Sequence, residues 1–220
     1  MCGRYASRES AADLALRFRI HGPLPDVAPS WNIAPSQDAP VIRRHPATGV
    51  HHLDLLNWGL LPHWTKDRKS ARRPINARAE TLATSAFFRG AFAARRAIVP
   101  ADAFYEWQRS GTHKQPYAIA RNDRDILAMA GIWEGWRSPD GGTVRSFAIV
   151  TTSANTDMAP IHDRMPVILA PAEWDIWLDG PPDQAVSLLR PAPAATLRLW
   201  PISTRVNKPS ENDPELLEPL

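Results

Sequence analysis

Cys2 offers the most chemistry in this chain, and its position matters more than its type. Methionine aminopeptidases remove an initiator Met when the next side chain is small, and Cys qualifies. Loss of Met1 would leave Cys2 with a free α-amine beside its thiol. The amine titrates at about 7.7–8.0 and a free thiol at about 8.5, so both nucleophiles are available near neutral pH. Toward an aldehyde the amine forms a Schiff base, and the thiol then closes on the imine. The product is a five-membered thiazolidine, far more resistant to hydrolysis than an imine. Two other readings stay open at this point. The same pair could act as an N-terminal nucleophile hydrolase, with thiol attacking amide and amine as base. A lone Cys is also often a small buried residue in a strand.

Four further segments mix polar and apolar types with no evident packing purpose. Trp31-Asn32-Ile33-Ala34-Pro35-Ser36-Gln37 reads as a polar turn between apolar flanks. In Pro74 to Thr81, Asn76 suits orienting a carbonyl or hydroxyl and Arg78 suits a phosphate. The alternative makes Asn76 a helix N-cap, with Ala79 and Glu80 in the first turn. In Pro100 to Trp107, strand alternation sends Phe104 and Glu106 one way and Tyr105 and Trp107 the other. A carboxylate in such aromatic company is partly desolvated, which suits a group that passes protons. The fourth segment runs from Thr151 to Asn155 and on through Ile161-His162-Asp163-Arg164-Met165-Pro166. It places His162, the natural acid/base near neutral pH, on a loop at a sheet edge.

The elements that must hold these residues are mostly short strands. Among 220 residues, 44% are hydrophobic and 22% charged, as in ordinary globular domains. No apolar run approaches the roughly 20 residues of a membrane span, and no signal peptide is expected, so a cytoplasmic location follows. The formal charge of +3 is mild. Its distribution says more: Lys66, Arg68, Lys69, Arg72 and Arg73 crowd one stretch before Arg78, a stripe that fits a phosphate backbone or, equally, a solvated loop. Trp64 sits inside that stretch, where charged neighbours favour base stacking over a core role. The cysteine count excludes an intramolecular disulfide and a cysteine zinc cluster. Adjacent His51 and His52 would face opposite sides of a strand, so no metal site is expected.

Helical spacing predicts a helix over Glu9 to Phe18, with helical segments carrying Leu82, Phe87, Phe88 and Phe92 and at 173–178 and 184–189. Strands are predicted at 50–56, 96–99, 103–108, 117–120, 126–133, 146–152, 165–169 and 197–202. Trp58 and Trp133 read as core. The 22 prolines favour such short elements over long helices. The expected fold is α+β: a single domain over residues 2–207, with a curled, barrel-like, mostly antiparallel β-sheet and a few peripheral helices. Residues 208–220 read as a C-terminal tail.

Six motifs in this order resemble the SOS-response-associated peptidase (SRAP) family of abasic-site shielding proteins. They are Cys-Gly-Arg-Tyr at 2–5, Trp-Asn-Ile-Ala-Pro at 31–35, Asn-Ala-Arg-Ala-Glu-Thr at 76–81, Phe-Tyr-Glu-Trp at 104–107, Ala-Gly-Ile-Trp-Glu at 130–134 and Ile-His-Asp-Arg-Met-Pro at 161–166. The resemblance spans Cys2 to about Asn207. It implies a covalent crosslink between Cys2 and the ring-opened sugar of an abasic site in single-stranded DNA. By position, Cys2 is the nucleophile, Asn76 positions it, Glu106 transfers protons and His162 assists sugar-ring opening. Arg4, Asn32, Trp64, Arg78, Thr151 and Arg164 are the implied DNA contacts, with Trp64 stacking where a duplex begins. The resemblance also implies no cofactor, a monomer associated with the nucleoid when on DNA, and self-catalysed removal of Met1 in some members. A cysteine peptidase or amidohydrolase and a non-covalent single-stranded DNA binder are the competing readings.

Overall fold

Runs such as Ala97-Ile98-Val99 and Phe147-Ala148-Ile149-Val150 are apolar at every position, not every second one. A strand of that kind must be covered on both faces, and the computed structural model, which describes residues 2–220, provides both covers. The strands are β1 (Arg4–Ser7), β2 (Ser30–Ile33), β3 (Asp38–Arg44), β4 (His51–Trp58), β5 (Asn76–Arg78), β6 (Arg96–Ala101), β7 (Ala103–Ser110), β8 (His113–Arg121), β9 (Leu127–Arg137), β10 (Thr143–Ser153), β11 (Arg164–Pro166) and β12 (Leu197–Pro201). Strands β10, β4, β3, β6 and β9 pair in that order, and β9 pairs back onto β10 to close a barrel. Pairings are antiparallel except those of β10 with β4 and with β5, which makes the barrel mixed.

Closure demands a close approach at Gly131 in β9. A Cβ there would lie 3.1 Å from Val99 and 3.3 Å from the Ala148 carbonyl. The glycine of the Ala-Gly-Ile-Trp-Glu motif is therefore a barrel residue first.

The second sheet runs β12-β8-β7-β1-β2. Its inner face, with Cys2, Tyr5, Phe104 and Ile119, packs against Val41, Val99, Met129, Phe147 and Ile149 of the barrel strands. The alternate barrel residues, Ile42, Ile98, Ala130, Ile132 and Val150, pack with helices. Those helices are α1 (Ala11–Arg17), α2 (Ala79–Leu82), α3 (Arg89–Ala94), α4 (Trp174–Leu178) and α5 (Pro182–Val186). Helix α1 begins at Ser10, whose hydroxyl accepts the Asp13 amide at 3.1 Å, and it buries Leu14 and Ala15. No helix among the described residues is long and apolar enough to cross a membrane.

The curled, barrel-like α+β fold stands as expected, and Trp58 and Trp133 are core. Two local expectations are revised. Asn32 and Ile33 lie in β2, so the polar turn begins only at Ala34. The strand expected at 165–169 is reduced to Arg164–Pro166; beyond it the chain passes from β10 to β9, the Val167 amide donating to the Val150 carbonyl and the Leu169 amide to the Ala128 carbonyl, both at 2.9 Å. Within residues 208–220, Leu216 is fully buried with Ala6, Tyr105, Ala118, Ile202 and Val206 on the outer face of the second sheet.

Candidate active site

Cys2 enters β1 in the middle of the second sheet, between β2 and β7. The antiparallel register Arg4↔Tyr105 brings Glu106 alongside the Cys2-Gly3 step. As the alternation predicts, Phe104 faces inward while Tyr105 and Trp107 face outward. Glu106 is 2% exposed. Asn76 comes from the other layer: β5 runs parallel to β10, with Asn76 opposite Ile149. Its side-chain amide donates to the Cys2 carbonyl at 2.9 Å, which ties the two sheets together at the nucleophile. The N-cap reading of Asn76 is thereby overturned, since Asn76 is a strand residue and α2 starts after Arg78 without a side-chain cap. The Asn76 Oδ1 is buried and accepts no hydrogen bond among the described residues. Such an acceptor is costly when empty, and it stands ready for a donor on an incoming group.

The Cys2 thiol is wholly buried and, among the described residues, makes a long contact of 3.9 Å to the Arg4 carbonyl. Burial pushes it well above the ordinary thiol range, and the nearby Glu106 charge raises it further. A neutral thiol so placed needs a local proton acceptor before it can attack, and Glu106 is beside it.

His162 lies on the loop between β10 and β11 and lines, with Glu106, Trp107, Arg109, Lys114 and Asn207, an open cleft of about 440 Å³. Its Nδ1 accepts the Arg164 backbone amide at 2.9 Å. The Asp163 carboxylate also lies 2.9 Å from Nδ1, but one lone pair cannot serve an N–H donor while the same nitrogen donates to a carboxylate. The amide has no choice of role, whereas Asp163 is 86% exposed and can turn to water. The neutral ring therefore carries its proton on Nε2. Cys2, Asn76 and Glu106 thus meet from three separate stretches of chain, and His162 shares the Glu106 cleft.

A second cleft, of about 550 Å³, opens on the Asn76 side and is lined by Arg72, Arg73, Arg78, Ile75, Thr81 and Phe88. Arg73 is partly held by the Gly59 carbonyl, while Arg78 is exposed. Trp64 is 56% exposed and meets Phe87 edge-on at 5.6 Å. Its loop is pinned to β9 at two points: the Trp136 indole donates to the Thr65 carbonyl at 2.7 Å, and His63 meets the buried Glu134 at 3.2 Å. The glutamate of Ala-Gly-Ile-Trp-Glu thus serves to hold the Trp64 loop, with Arg95 on its other oxygen at 2.7 Å.

The remaining expected contacts are more committed. Arg4 donates to the Asn32 side chain at 2.9 Å and to the Val206 carbonyl at 2.7 Å. Asn32 is 1% exposed and donates to the Lys208 and Glu211 carbonyls. Thr151 is fully buried, and Arg164 bonds its carbonyl at 2.7 Å while pairing with Glu80 at 2.9 Å. That pairing holds the Glu80 carboxyl below its usual range. Arg109 and Lys114 were not singled out by sequence, although hairpin register would find them: they stand directly opposite each other across β7 and β8. Like charges facing across a ladder are unfavourable unless an anion lies between them. One His/Asp group, His51 with Asp175 and Asp179, brings ligand atoms within 4.8 Å of one another, but Asp179 is already paired with Arg44 and His51.

Comparison with known proteins adds four findings. The family model described as SOS response associated peptidase (SRAP) matches residues 1–209. The chain is 40% identical over 224 residues to the abasic site processing protein YoqW of Bacillus subtilis (strain 168), covering 99% of each. It is 32% identical to the abasic site processing protein HMCES of Gallus gallus, over 87% of this chain and 66% of that one. A solved structure from Bacteroides thetaiotaomicron superposes with a TM-score of 0.89 at 27% identity over the full length of both chains.

Proposed function

The chain belongs to the SOS response associated peptidase (SRAP) family, and from that premise we propose that it processes abasic sites in single-stranded DNA by covalent capture on Cys2. The observation that carries this reading is the convergence of Cys2, Asn76 and Glu106 at the seam of two sheets, between two basic clefts. Removal of Met1, by an aminopeptidase or by the same site, supplies the amine. The ring-opened sugar presents an aldehyde. The Cys2 amine adds to its carbon, one water leaves, and an imine forms. The thiol then adds to the imine carbon, its proton passing through Glu106 to the imine nitrogen, and the thiazolidine closes. His162, with its proton on Nε2, is placed to protonate the sugar ring oxygen as the ring opens. Asn76 holds the Cys2 carbonyl and with it the direction of the nucleophile.

The strand would run from the Arg72, Arg73 and Arg78 cleft, past Asn76, to the Arg109 and Lys114 pair. Arg78 is exposed, and Arg109 and Lys114 face each other across β7 and β8, so cationic side chains stand at both ends of that path. Arg78→Ala should therefore weaken binding to all single strands alike and reduce the slope of log affinity against log salt by about 0.7. An unchanged slope would remove Arg78 from the path. Trp64→Ala should cost about 1–3 kcal/mol on a single-strand/double-strand junction and little on an isolated strand. Equal losses on both substrates would contradict its place at a duplex end. Denaturing electrophoresis tests the reading as a whole: an abasic strand should be retarded by the protein and an undamaged one should not. Turnover of peptides without retardation of either strand would favour the hydrolase.

A further inference from the structure

Residues 203–217 cross the outer face of the second sheet from one edge to the other. They leave edge strand β12 at Ile202, whose amide donates to the Pro116 carbonyl of β8 at 3.0 Å. They reach the opposite edge at β2, where the Asn212 side chain accepts the Trp31 amide at 2.6 Å. Beyond Asn212, Leu216 is fully buried and the indole of Trp200 on β12 donates to the Leu217 carbonyl at 2.9 Å. Arg205 gathers Glu211 at 2.8 Å, Asp213 at 2.5 Å and Glu215 at 2.8 Å, folding the segment upon itself.

This strap is fastened at the site. Arg4, two residues from Cys2, donates to the carbonyls of Val206 and Asn207. Asn32, on the neighbouring strand, donates to Val206, Lys208 and Glu211. Trp107, adjacent to Glu106, donates through its indole to the Asn207 side chain at 2.7 Å. Asn207 itself lines the cleft that holds Glu106 and His162. The three anchors thus fall on the strands that carry or flank the nucleophile and the proton-transfer carboxylate.

We infer that the C-terminal strap is a positioning element of the crosslinking site. It holds β1 and β7 so that Cys2 and Glu106 stay aligned, and it supplies Asn207 as a wall of the cleft. The inference rests on the reading of the site as a covalent trap. A strap that only added stability would lower the fraction of folded protein without changing how fast each folded molecule reacts. A positioning strap changes the rate itself, because misplacement of about 1 Å at a reacting pair costs on the order of a hundredfold.

The test uses three variants of the full protein: Asn212→Ala, which unclips the strap from β2; Leu216→Ala, which empties its buried contact; and Trp107→Phe, which removes the indole donor to Asn207. Crosslinking to an abasic single strand is followed at saturating DNA, so that rate constant and final yield separate. Trypsin cleavage after Arg205 without DNA measures release of the strap. Rate constants should fall by roughly tenfold to a hundredfold with yields preserved, in step with faster cleavage after Arg205, while binding of an undamaged strand changes little. Wild-type rate constants in variants whose strap is released would overturn the inference, as would losses confined to the yield. A wild-type protein that forms no adduct would overturn the covalent reading and this inference with it. A reacting wild type beside variants of unchanged rate would overturn the inference alone.

Discussion

Cys2→Ser is expected to abolish the heat-stable adduct on an abasic strand while leaving binding to undamaged single strands near the wild-type level. The variant keeps an α-amine, so an imine can still form, but a hydroxyl closes a less stable ring that reopens. Cys2 is wholly buried, so the loss cannot be assigned to a disturbed surface contact. Reduction with borohydride separates the two steps: the Ser variant should still be trapped as a reduced imine, and the wild type should need no trapping. Full heat-stable crosslinking by Cys2→Ser would remove the thiol from the mechanism, and with it the role of the buried sulfur.

Glu106→Gln is expected to slow adduct formation by about 10²–10⁴-fold, the range for loss of a positioned acid/base. Two effects oppose each other. Removing the carboxylate charge takes away one cause of the raised thiol and should ease its ionisation. It also removes the acceptor that receives the thiol proton. Desolvation outranks the Glu106 charge among the causes of the raised thiol, so the thiol stays neutral at pH 7 in the variant and the lost acceptor decides the outcome. A pH series shows which effect rules. In Glu106→Gln the thiol proton must leave to solvent, so the rate should climb steadily from pH 7 to pH 9, and the deficit against wild type should shrink. A variant as fast as wild type at pH 7, or one whose deficit is the same at every pH, would place the proton transfer elsewhere.

Much of the site could be read before any coordinates because it obeys local rules. Glu106 follows from strand alternation through Phe104 to Trp107, and the loop position of His162 follows from the apolar runs on either side of it. The bond from Asn76 to the Cys2 carbonyl did not follow from spacing, since Asn-Ala-Arg-Ala-Glu fits a helix start as well as a three-residue strand. Pairing with β10, remote in sequence, made the choice. Strands β1 and β2 escaped notice because each has four residues, too few for a period to show. The C-terminal strap was illegible for another reason. Its polar, proline-broken sequence carries no periodicity, and what holds it are bonds from Arg4, Trp31, Asn32 and Trp107, each 100 or more residues away in the chain. Arg4 and Asn32 show the same limit from the other side: their residue types suit phosphates, and their bonds in this structure go to the strap.

The most direct test of the central claim is the intact mass of the protein after incubation with a single-stranded oligonucleotide carrying one abasic site, beside an undamaged control. Covalent capture predicts a heat-resistant species whose mass is the chain without Met1, plus the abasic strand, minus one water, and nothing on the control. Protein confirmed to lack Met1 that yields no such species, or an adduct mass that retains Met1, would contradict capture by the Cys2 amine and thiol.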